Sequence, residues 1–408
     1  MSLPFMICFY QWFIFKNERG GDWKRIFPFF LIILVLPLSW GLLNLQYLVG
    51  IHRTVDGFAQ GMNGYQYALT ETKVILTYLK LLILPIHQTL EYDFTLVTSF
   101  FDPSVIGSMF CLLLILVIAI LIRNRLKLMS LGIFWFFITL MPESSFWPIR
   151  DLVFEHRLYL PLLGFSLFLS SGLFYLFAKK ESVAIGILFL LVMGYGVLTY
   201  QRNHVWLNEF SLWDDAVRQS PASARAYLNR GSAYQAKGDL DHALADYNRV
   251  IGLGPIDPVT LSNRGLIFQK KGHLDLALAN YNLAIKINPS FAGTYCNRGL
   301  LYKDEGKVDL ALADFDKAAE MIHHDPSIYL NKGLLNRGKG NFNQAIEDFS
   351  RAIELVPYDN NLYELRAETY FLNKQYNQAW GDVGNIKSYR GKVNPLFLKD
   401  LEKFSGHG

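Results

Sequence analysis

The chain has 408 residues, of which 51% are hydrophobic, 15% aromatic and 18% charged, and its mean hydropathy is +0.19. This composition excludes a disordered tail, a collagen-like rod and an ordinary soluble enzyme. Only 25 charged residues lie in 1–201, whereas 49 lie in 202–408, so the two halves are suited to different solvents. The net charge of +4 is not gathered into a basic block, and nucleic acid is therefore not an expected partner.

The first half contains six apolar runs, some of which reach the roughly 20 residues that a membrane-spanning helix needs while others fall short. These runs lie near 3–15, 26–49, 104–122, 128–142, 159–177 and 183–200. They predict a transmembrane domain of about six spans over 1–201. A further run over 74–86 is short, contains Lys80 and stops at Pro85, which favours an interfacial or re-entrant helix.

The placement of lysine and arginine predicts the orientation of these spans. Connections 16–25, 123–127 and 179–180 hold nine basic residues, whereas the longer alternate connections 50–103 and 143–158 hold five. Basic loops face the cytoplasm. The chain is therefore expected to leave its last span on the extracytoplasmic side.

The second half repeats every 34 residues. Small residues recur at Gly231, Gly265, Gly299 and Gly333, at Gly238, Gly272, Gly306 and Gly340, and at Ala243, Ala277, Ala311, Ala345 and Ala379; aromatic residues recur at Tyr247, Tyr281, Phe315 and Phe349. This pattern resembles tetratricopeptide repeats, which stack helix hairpins into a solenoid with a concave face. The predicted fold is thus all-α, a polytopic transmembrane helix bundle followed by a tetratricopeptide repeat solenoid.

The repeat period also predicts the organisation of the second half. Five units are expected over 224–393, after a junction half repeat over 202–223 and before a C-terminal cap or tail over 394–408. The second glycine column, which ends in Lys374 in the fifth unit, is expected to turn the chain between the two helices of each hairpin.

Asparagine precedes the first glycine column by two positions in four units. These residues are Asn229, Asn263, Asn297 and Asn331. Asparagine forms helices poorly, so the regularity needs a reason. One interpretation is an amide ladder that binds an extended polypeptide on the concave face; the other is repeat duplication, with the amides used in local hydrogen bonds between helices.

No cofactor or metal site is predicted. The sequence GLLNRGKG over 333–340 has the glycine and lysine spacing of a phosphate-binding loop, but no hydroxyl residue follows Lys339 and no apolar strand precedes it. The pair His323 and His324 has no cysteine or carboxylate at a metal-ligand interval.

The segments PESS, EHRLYLP, LLILP and YDF and the junction from Trp206 resemble the transmembrane and tetratricopeptide repeat containing proteins and their bacterial relatives. The resemblance implies a polytopic glycosyltransferase that moves a sugar, commonly mannose, from a polyprenyl-phosphate donor to a protein near the repeats. It also implies an acidic pair in the first large external loop, and the chain is expected to begin downstream of that pair, as a fragment or short form.

Charged residues near the predicted membrane boundary are candidates for binding the donor phosphate and for acting as a catalytic base. A guanidinium can donate two parallel hydrogen bonds to phosphate oxygens, so Arg157, with His156, is the candidate that binds the lipid phosphate. The alternative is an ion pair from Arg157 to Glu155 or Asp151. Asp93 and Glu91 are weak candidates for a catalytic base, with capping or ion pairing as the alternative.

Two functions follow from these patterns. The first is the C-terminal portion of an integral-membrane protein glycosyltransferase that uses polyprenyl-phosphate sugar and whose repeats bind the acceptor polypeptide. The second is a non-catalytic membrane-tethered scaffold for protein-protein interaction. The expected location is a bacterial inner membrane, with the repeats on its extracytoplasmic side.

Overall fold

The computed structural model describes residues 64–141, 152–153 and 155–406. All regular elements in these residues are helices, which confirms the predicted all-α fold. The chain divides into two compact units, Met1–Ala226, called here the membrane unit, and Tyr227–Gly408, called the repeat unit. The predicted spans over 3–15 and 26–49 and the PESS segment over 142–145 lie outside the described residues.

The described part of the membrane unit contains six α-helices and two short 3-10 helices. They are α1 (Gly64–Ile83), α2 (Pro103–Ile122), α3 (Lys127–Leu140), the 3-10 helix Glu155–Leu158, α4 (Tyr159–Leu176), α5 (Glu181–Asn203), the 3-10 helix His204–Leu207 and α6 (Glu209–Gln219). Asp102 begins α2 by accepting a hydrogen bond from the Ser104 amide, with Pro103 in the first turn.

Three helical segments among these residues are long and apolar enough to cross a membrane: Pro103–Ile122, Glu155–Leu176 and Glu181–Leu207. In the apolar 18-residue stretch of each segment, at most 22% of the residues are buried, so most of the apolar side chains face outward. The run predicted as a span over 128–142 forms α3, which has 14 residues and would rise about 21 Å, less than the hydrocarbon thickness of about 30 Å. The run over 74–86 belongs mainly to the 20-residue α1.

Two glycines let α3 and α4 approach closely. A Cβ atom added to Gly132 would lie 2.5 Å from the carbonyl oxygen of Gly164, and one added to Gly164 would lie 2.5 Å from that of Gly132. Trp135 also donates from Nε1 to the Leu160 carbonyl at 2.9 Å. Small residues at such crossings let backbones pack where lipid supplies no hydrophobic driving force.

The repeat helices form five consecutive pairs and one terminal helix. They are α7 (Ala224–Ala236), α8 (Leu240–Leu253), α9 (Pro258–Lys270), α10 (Leu274–Ile287), α11 (Ala292–Asp304), α12 (Val308–Met321), α13 (Pro326–Gly338), α14 (Phe342–Leu355), α15 (Asn360–Leu372), α16 (Tyr376–Ser388) and α17 (Pro395–Ser405). Side chains of Asp257, Asp325 and Asp359 cap the starts of α9, α13 and α15. The last helix buries Leu401 against Ala379 and Val383.

Each hairpin core places the first glycine column against the aromatic column. A Cβ atom added to Gly265 would lie 2.7 Å from Cε1 of Tyr281, and one added to Gly333 would lie 2.6 Å from Cε1 of Phe349. Both rings are completely buried. The aromatic side chain therefore occupies the space that a methyl group would need.

The second glycine column turns the chain, as predicted. Gly238, Gly272, Gly306 and Gly340 have φ between +72° and +80°, a region that glycine adopts without a Cβ penalty. In the fifth unit Lys374 takes the same conformation with φ of +61°. The hairpin geometry is thus retained where the glycine is lost.

Candidate functional site

A cavity of about 490 Å³ lies within the membrane unit. Much of its wall is apolar and comes from α1, α4 and the 3-10 helix His204–Leu207, including Leu81, Leu162 and Trp206. Its polar wall includes Glu155, His156 and Arg202. A cavity with an apolar wall and charged groups can accept a ligand with an apolar chain and an ionic head.

Arg202, near the C-terminus of α5, carries the largest unmet hydrogen-bonding capacity in the cavity wall. Its Nη1 pairs with the Asp215 carboxylate at 2.5 Å, and its side chain is 15% exposed. Its Nε and Nη2 atoms are buried and have no hydrogen-bond partner among the described residues. Arg202 is the arginine of the cavity wall, and its guanidinium suits an anionic ligand.

Glu155 ties the loop after α1 to the cavity. Its Oε1 accepts hydrogen bonds from the Thr89 amide at 2.9 Å and from the Tyr92 hydroxyl at 2.7 Å. Burial of the Tyr92 ring, together with the negative charge of Glu155, raises the pKa of the Tyr92 hydroxyl, so this hydroxyl stays protonated and donates.

The structure separates the two residues predicted to bind a lipid phosphate. His156 is exposed and lines the cavity. Arg157 is 7% exposed; its Nη1 lies 3.9 Å from Oε1 of Glu71 on α1 and donates to the Leu152 carbonyl at 3.2 Å. Arg157 is therefore next to Glu71 in α1, while Asp151, one predicted ion-pair partner, lies outside the described residues.

The two weak candidates for a catalytic base lie in the loop after α1 and do not line the cavity. Glu91 forms an ion pair with Arg225, and its carbonyl accepts from Ser220 Oγ at 2.6 Å. Asp93 is exposed. Glu91 thus has the ion-pairing contact that was the alternative interpretation, whereas the Asp93 side chain is open to solvent.

In the repeat unit, the residues before the four first-column glycines, and before Ala367 at the same position of the fifth unit, form a regular basic ladder. Its members are Arg230, Arg264, Arg298, Lys332 and Arg366. Each pairs with a side chain 16 residues later, on the second helix of its own hairpin: Asp246, Asn280, Asp314, Asp348 and Asp382. Four also reach 16 residues back to the preceding hairpin, at Asn248, Asn282, Asp316 and Ser350. The ladder therefore joins neighbouring repeats.

Arg298 illustrates the contacts that one residue of the basic ladder makes, called here a rung. Its Nε and Nη2 donate to the two Asp314 oxygens at 2.8 and 2.7 Å, and the carboxylate is 6% exposed. These hydrogen bonds raise the pKa of Arg298. Arg264 faces the neutral amide of Asn280 instead, and burial lowers its pKa.

Aromatic rings flank the ladder. The Arg298 guanidinium carbon lies 5.7 Å from the ring centres of both Tyr295 and Tyr302, and that of Arg366 lies 5.6 and 5.8 Å from those of Tyr363 and Tyr370. A cation over a ring face is stabilised by the ring quadrupole. The sequence analysis did not identify this partnership, although the 34-residue recurrence of basic, Asp and Tyr residues is a readable signal of it.

The four predicted peptide-binding asparagines are half-buried. Asn297 donates to Ser262 Oγ of the preceding hairpin at 3.1 Å, and Asn331 accepts from Lys303 Nζ at 2.8 Å. Asn263 hydrogen-bonds the Tyr247 hydroxyl. These amides make contacts between helices, as the duplication interpretation expects, while peptide binding by them stays a prediction.

Family models described as tetratricopeptide repeat or TPR repeat match residues 224–256, 270–306 and 296–360. The chain contains tetratricopeptide repeats. Two similar proteins are protein O-mannosyl-transferase Tmtc3 of Drosophila melanogaster and tmtc2 of Xenopus laevis, each 28% identical, over 31% and 27% of this chain. The matched stretch is 14% of the length of each relative.

Solved tetratricopeptide structures also resemble the chain. A tetratricopeptide repeat protein from Parabacteroides merdae is 25% identical, with a TM-score of 0.37, and the match covers 48% of this chain and 80% of that one. PilF of Pseudomonas aeruginosa is 18% identical, with a TM-score of 0.41, and the match covers 46% and 86%.

Proposed function

We propose that this chain is part of a membrane protein glycosyltransferase: its membrane unit binds a polyprenyl-phosphate sugar and its repeats bind the acceptor polypeptide. Similarity to protein O-mannosyl-transferases and three candidate spans support the proposal. The observation that carries it is the cavity, which combines an apolar wall with the guanidinium of Arg202.

In this proposal the bond between the sugar and the phosphate oxygen breaks, and a polypeptide hydroxyl forms the new bond to the sugar. Negative charge then accumulates on the departing lipid phosphate. Arg202, with His156, would stabilise that charge. Asp93, in the loop after α1, remains the candidate that takes the hydroxyl proton, although it does not line the cavity, and Arg157 would help position the 3-10 helix that carries His156.

Lysine and arginine crowding in alternate loops supports an extracytoplasmic position for the repeats, in a bacterial inner membrane. Transfer there would act on polypeptides that have already crossed the membrane. A thiol reagent that does not cross membranes should label Cys296 in intact cells. The labelling should be slow, because this cysteine is half-buried. Labelling only after lysis would contradict this orientation.

The donor site can be tested with the full chain in lipid nanodiscs and radiolabelled undecaprenyl phosphate. Arg202→Gln is expected to weaken binding about tenfold or more, because it removes charge-assisted hydrogen bonds. Undecaprenol, which lacks the phosphate, should bind both proteins equally. Arg218→Gln is the matched control, since Arg218 is 77% exposed and pairs with Asp214 on the same helix.

Equal binding of undecaprenyl phosphate by the Arg202→Gln protein would contradict the donor site. It would favour the second function, a membrane-tethered scaffold in which the repeats bind a protein and the spans only anchor it. The observation that favours the scaffold is the ion pair of Glu91 with Arg225, which occupies one of the two predicted catalytic carboxylates.

A further inference from the structure

The fourth repeat departs from the basic ladder at two positions. Lys332 stands where the other four repeats have arginine, and Asn336 stands where they have an aromatic ring. In those repeats the ring lies under the guanidinium; these rings are Tyr234, Phe268, Tyr302 and Tyr370. The fourth repeat thus lacks both a planar cation and one of the rings that stack on it.

A cavity of about 680 Å³ opens at this place in the repeat unit. Lys332, Asn336 and Asp348 line it from within, and Asn336 and Asp348 are each 8% exposed. The ring of Tyr329 and the exposed Asp316 lie at its sides. None of the four predicted peptide-binding asparagines is among its lining residues. The cavity therefore differs from the predicted amide ladder.

The charge in the cavity is negative overall. Its lining contains four carboxylates and two basic residues. Lys332 Nζ lies 2.8 Å from Asp316 Oδ1 and 3.4 Å from Asp348 Oδ1, so its single ammonium replaces the two short hydrogen bonds that arginine gives in the neighbouring rungs. Arg351 pairs with Glu354 at 2.6 Å, and Glu347 is exposed. The Glu347 carboxylate and the second carboxylate oxygen of Asp316 therefore face an open, polar space.

We propose that this cavity binds an arginine side chain of a polypeptide. Lys332 Nζ lies 6.0 Å from the ring centre of Tyr329, as the arginines of three other repeats lie over the equivalent ring. The entering guanidinium would instead occupy the space where the other repeats hold the ring that Asn336 replaces, and it would donate to the carboxylates of Asp316 and Glu347. In three other repeats a guanidinium, that of Arg230, Arg298 or Arg366, already lies between two rings and pairs with a carboxylate. The proposal goes beyond the proposed function, because it requires only the repeat unit and no sugar transfer.

The test uses the full chain in detergent micelles and fluorescein-labelled glycine-serine peptides, read by fluorescence anisotropy. One peptide carries two arginines, a second carries citrulline at both positions, and a third carries lysine. Citrulline keeps the planar shape and removes the charge. We expect the arginine peptide to bind more tightly than the lysine peptide, and the citrulline peptide to bind weakest.

Asn336→Tyr restores the ring that the other repeats have and fills the cavity. It is expected to lower the affinity for the arginine peptide to that for the citrulline peptide. Glu347→Gln, at an exposed position, is expected to weaken arginine binding about two- to fivefold. Glu320→Gln is its matched control, since Glu320 is also exposed and does not line the cavity.

Several results would overturn the proposal: no binding of the arginine peptide up to millimolar concentration, equal binding of the citrulline peptide, or full binding by the Asn336→Tyr protein. If Asn336→Tyr disturbs folding, as judged by its thermal melt, Glu347→Gln against Glu320→Gln decides alone. Equal affinities of these two variants for the arginine peptide would then refute the site. The lipid-binding result has no bearing on this outcome.

Discussion

Substitution of Gly265 by alanine tests the packing that gives each hairpin its shape. The added Cβ would lie 2.7 Å from Cε1 and 2.9 Å from Cδ1 of Tyr281. That ring has little freedom to move, because it is completely buried and its hydroxyl donates to Gln269 Oε1 at 3.0 Å. The new methyl group must therefore displace the two helices or break that hydrogen bond.

The expected magnitude is a difference between two opposing effects. Alanine is favoured over glycine in a helix by about 0.5–1 kcal/mol. Overpacking a close core contact costs about 1–3 kcal/mol. Gly265→Ala should therefore destabilise the second repeat by about 1 kcal/mol. Gly384→Ala is the matched control, since a Cβ there meets no atom within 4 Å, and it should stabilise the fifth repeat by about 0.5–1 kcal/mol.

Hydrogen exchange of the full chain, read by mass spectrometry on peptides from each repeat, measures these local free energies. A third variant grades the effect: a Cβ at Gly299 would lie 3.2 Å from the Phe315 ring, so Gly299→Ala should fall between the other two. If Gly265→Ala slows exchange as much as Gly384→Ala does, the close approach of glycine to the ring is not what fixes the hairpin.

Three further measurements probe single features of the repeat unit. Lys374→Gly should stabilise the fifth repeat by about 1 kcal/mol, because it relieves a φ of +61°; Lys374→Ala should give no gain in the same exchange experiment. Arg298→Met should destabilise the repeat unit by about 3 kcal/mol in chemical denaturation, since it leaves the Asp314 carboxylate buried without its partner. Lys317→Met, which removes an exposed ion pair with Glu320, should change the stability by less than about 0.5 kcal/mol. Burial raises the pKa of the Cys296 thiol from 9.0 to about 11, so its alkylation by iodoacetamide at pH 8 should be about a hundredfold slower than that of an unburied cysteine. The stability that the neutral thiol contributes should be present below pH 9 and should be lost as the pH rises through 11. Equal alkylation rates would refute the burial of this thiol.

The two interpretations of the asparagine column differ in what the side chains contact, and sequence spacing alone could not separate them. Spacing places Asn297 and Asn331 on equivalent turns, but whether an amide faces a neighbouring helix depends on how the hairpins stack. The stacking brings Ser262 and Lys303 within hydrogen-bonding distance of these amides. The same stacking places each arginine of the basic ladder between two hairpins, which the linear pattern did not reveal.

The membrane unit shows the same limit at its cavity. The sequence singled out Arg157 because of its position near a span, yet it lies beside Glu71 in the interior, while Arg202 lines the cavity. These arginines belong to segments separated by the length of two helices. Their environments depend on contacts with α1 and α6, which no local periodicity encodes.

The amino-acid sequence by itself determined the helical class, the candidate spans and the 34-residue hairpins, because apolar length, glycine turns and repeat spacing act through neighbouring residues. The tertiary structure decided which charged side chains are buried in pairs and which line a cavity. Lys332 and Asn336 show why: each is an ordinary substitution in the sequence, and only the packing of three helices around them turns the loss of a ring into an open polar space. Volume and charge in such a space are properties of residues that three consecutive helices bring together, and not of any one stretch of sequence.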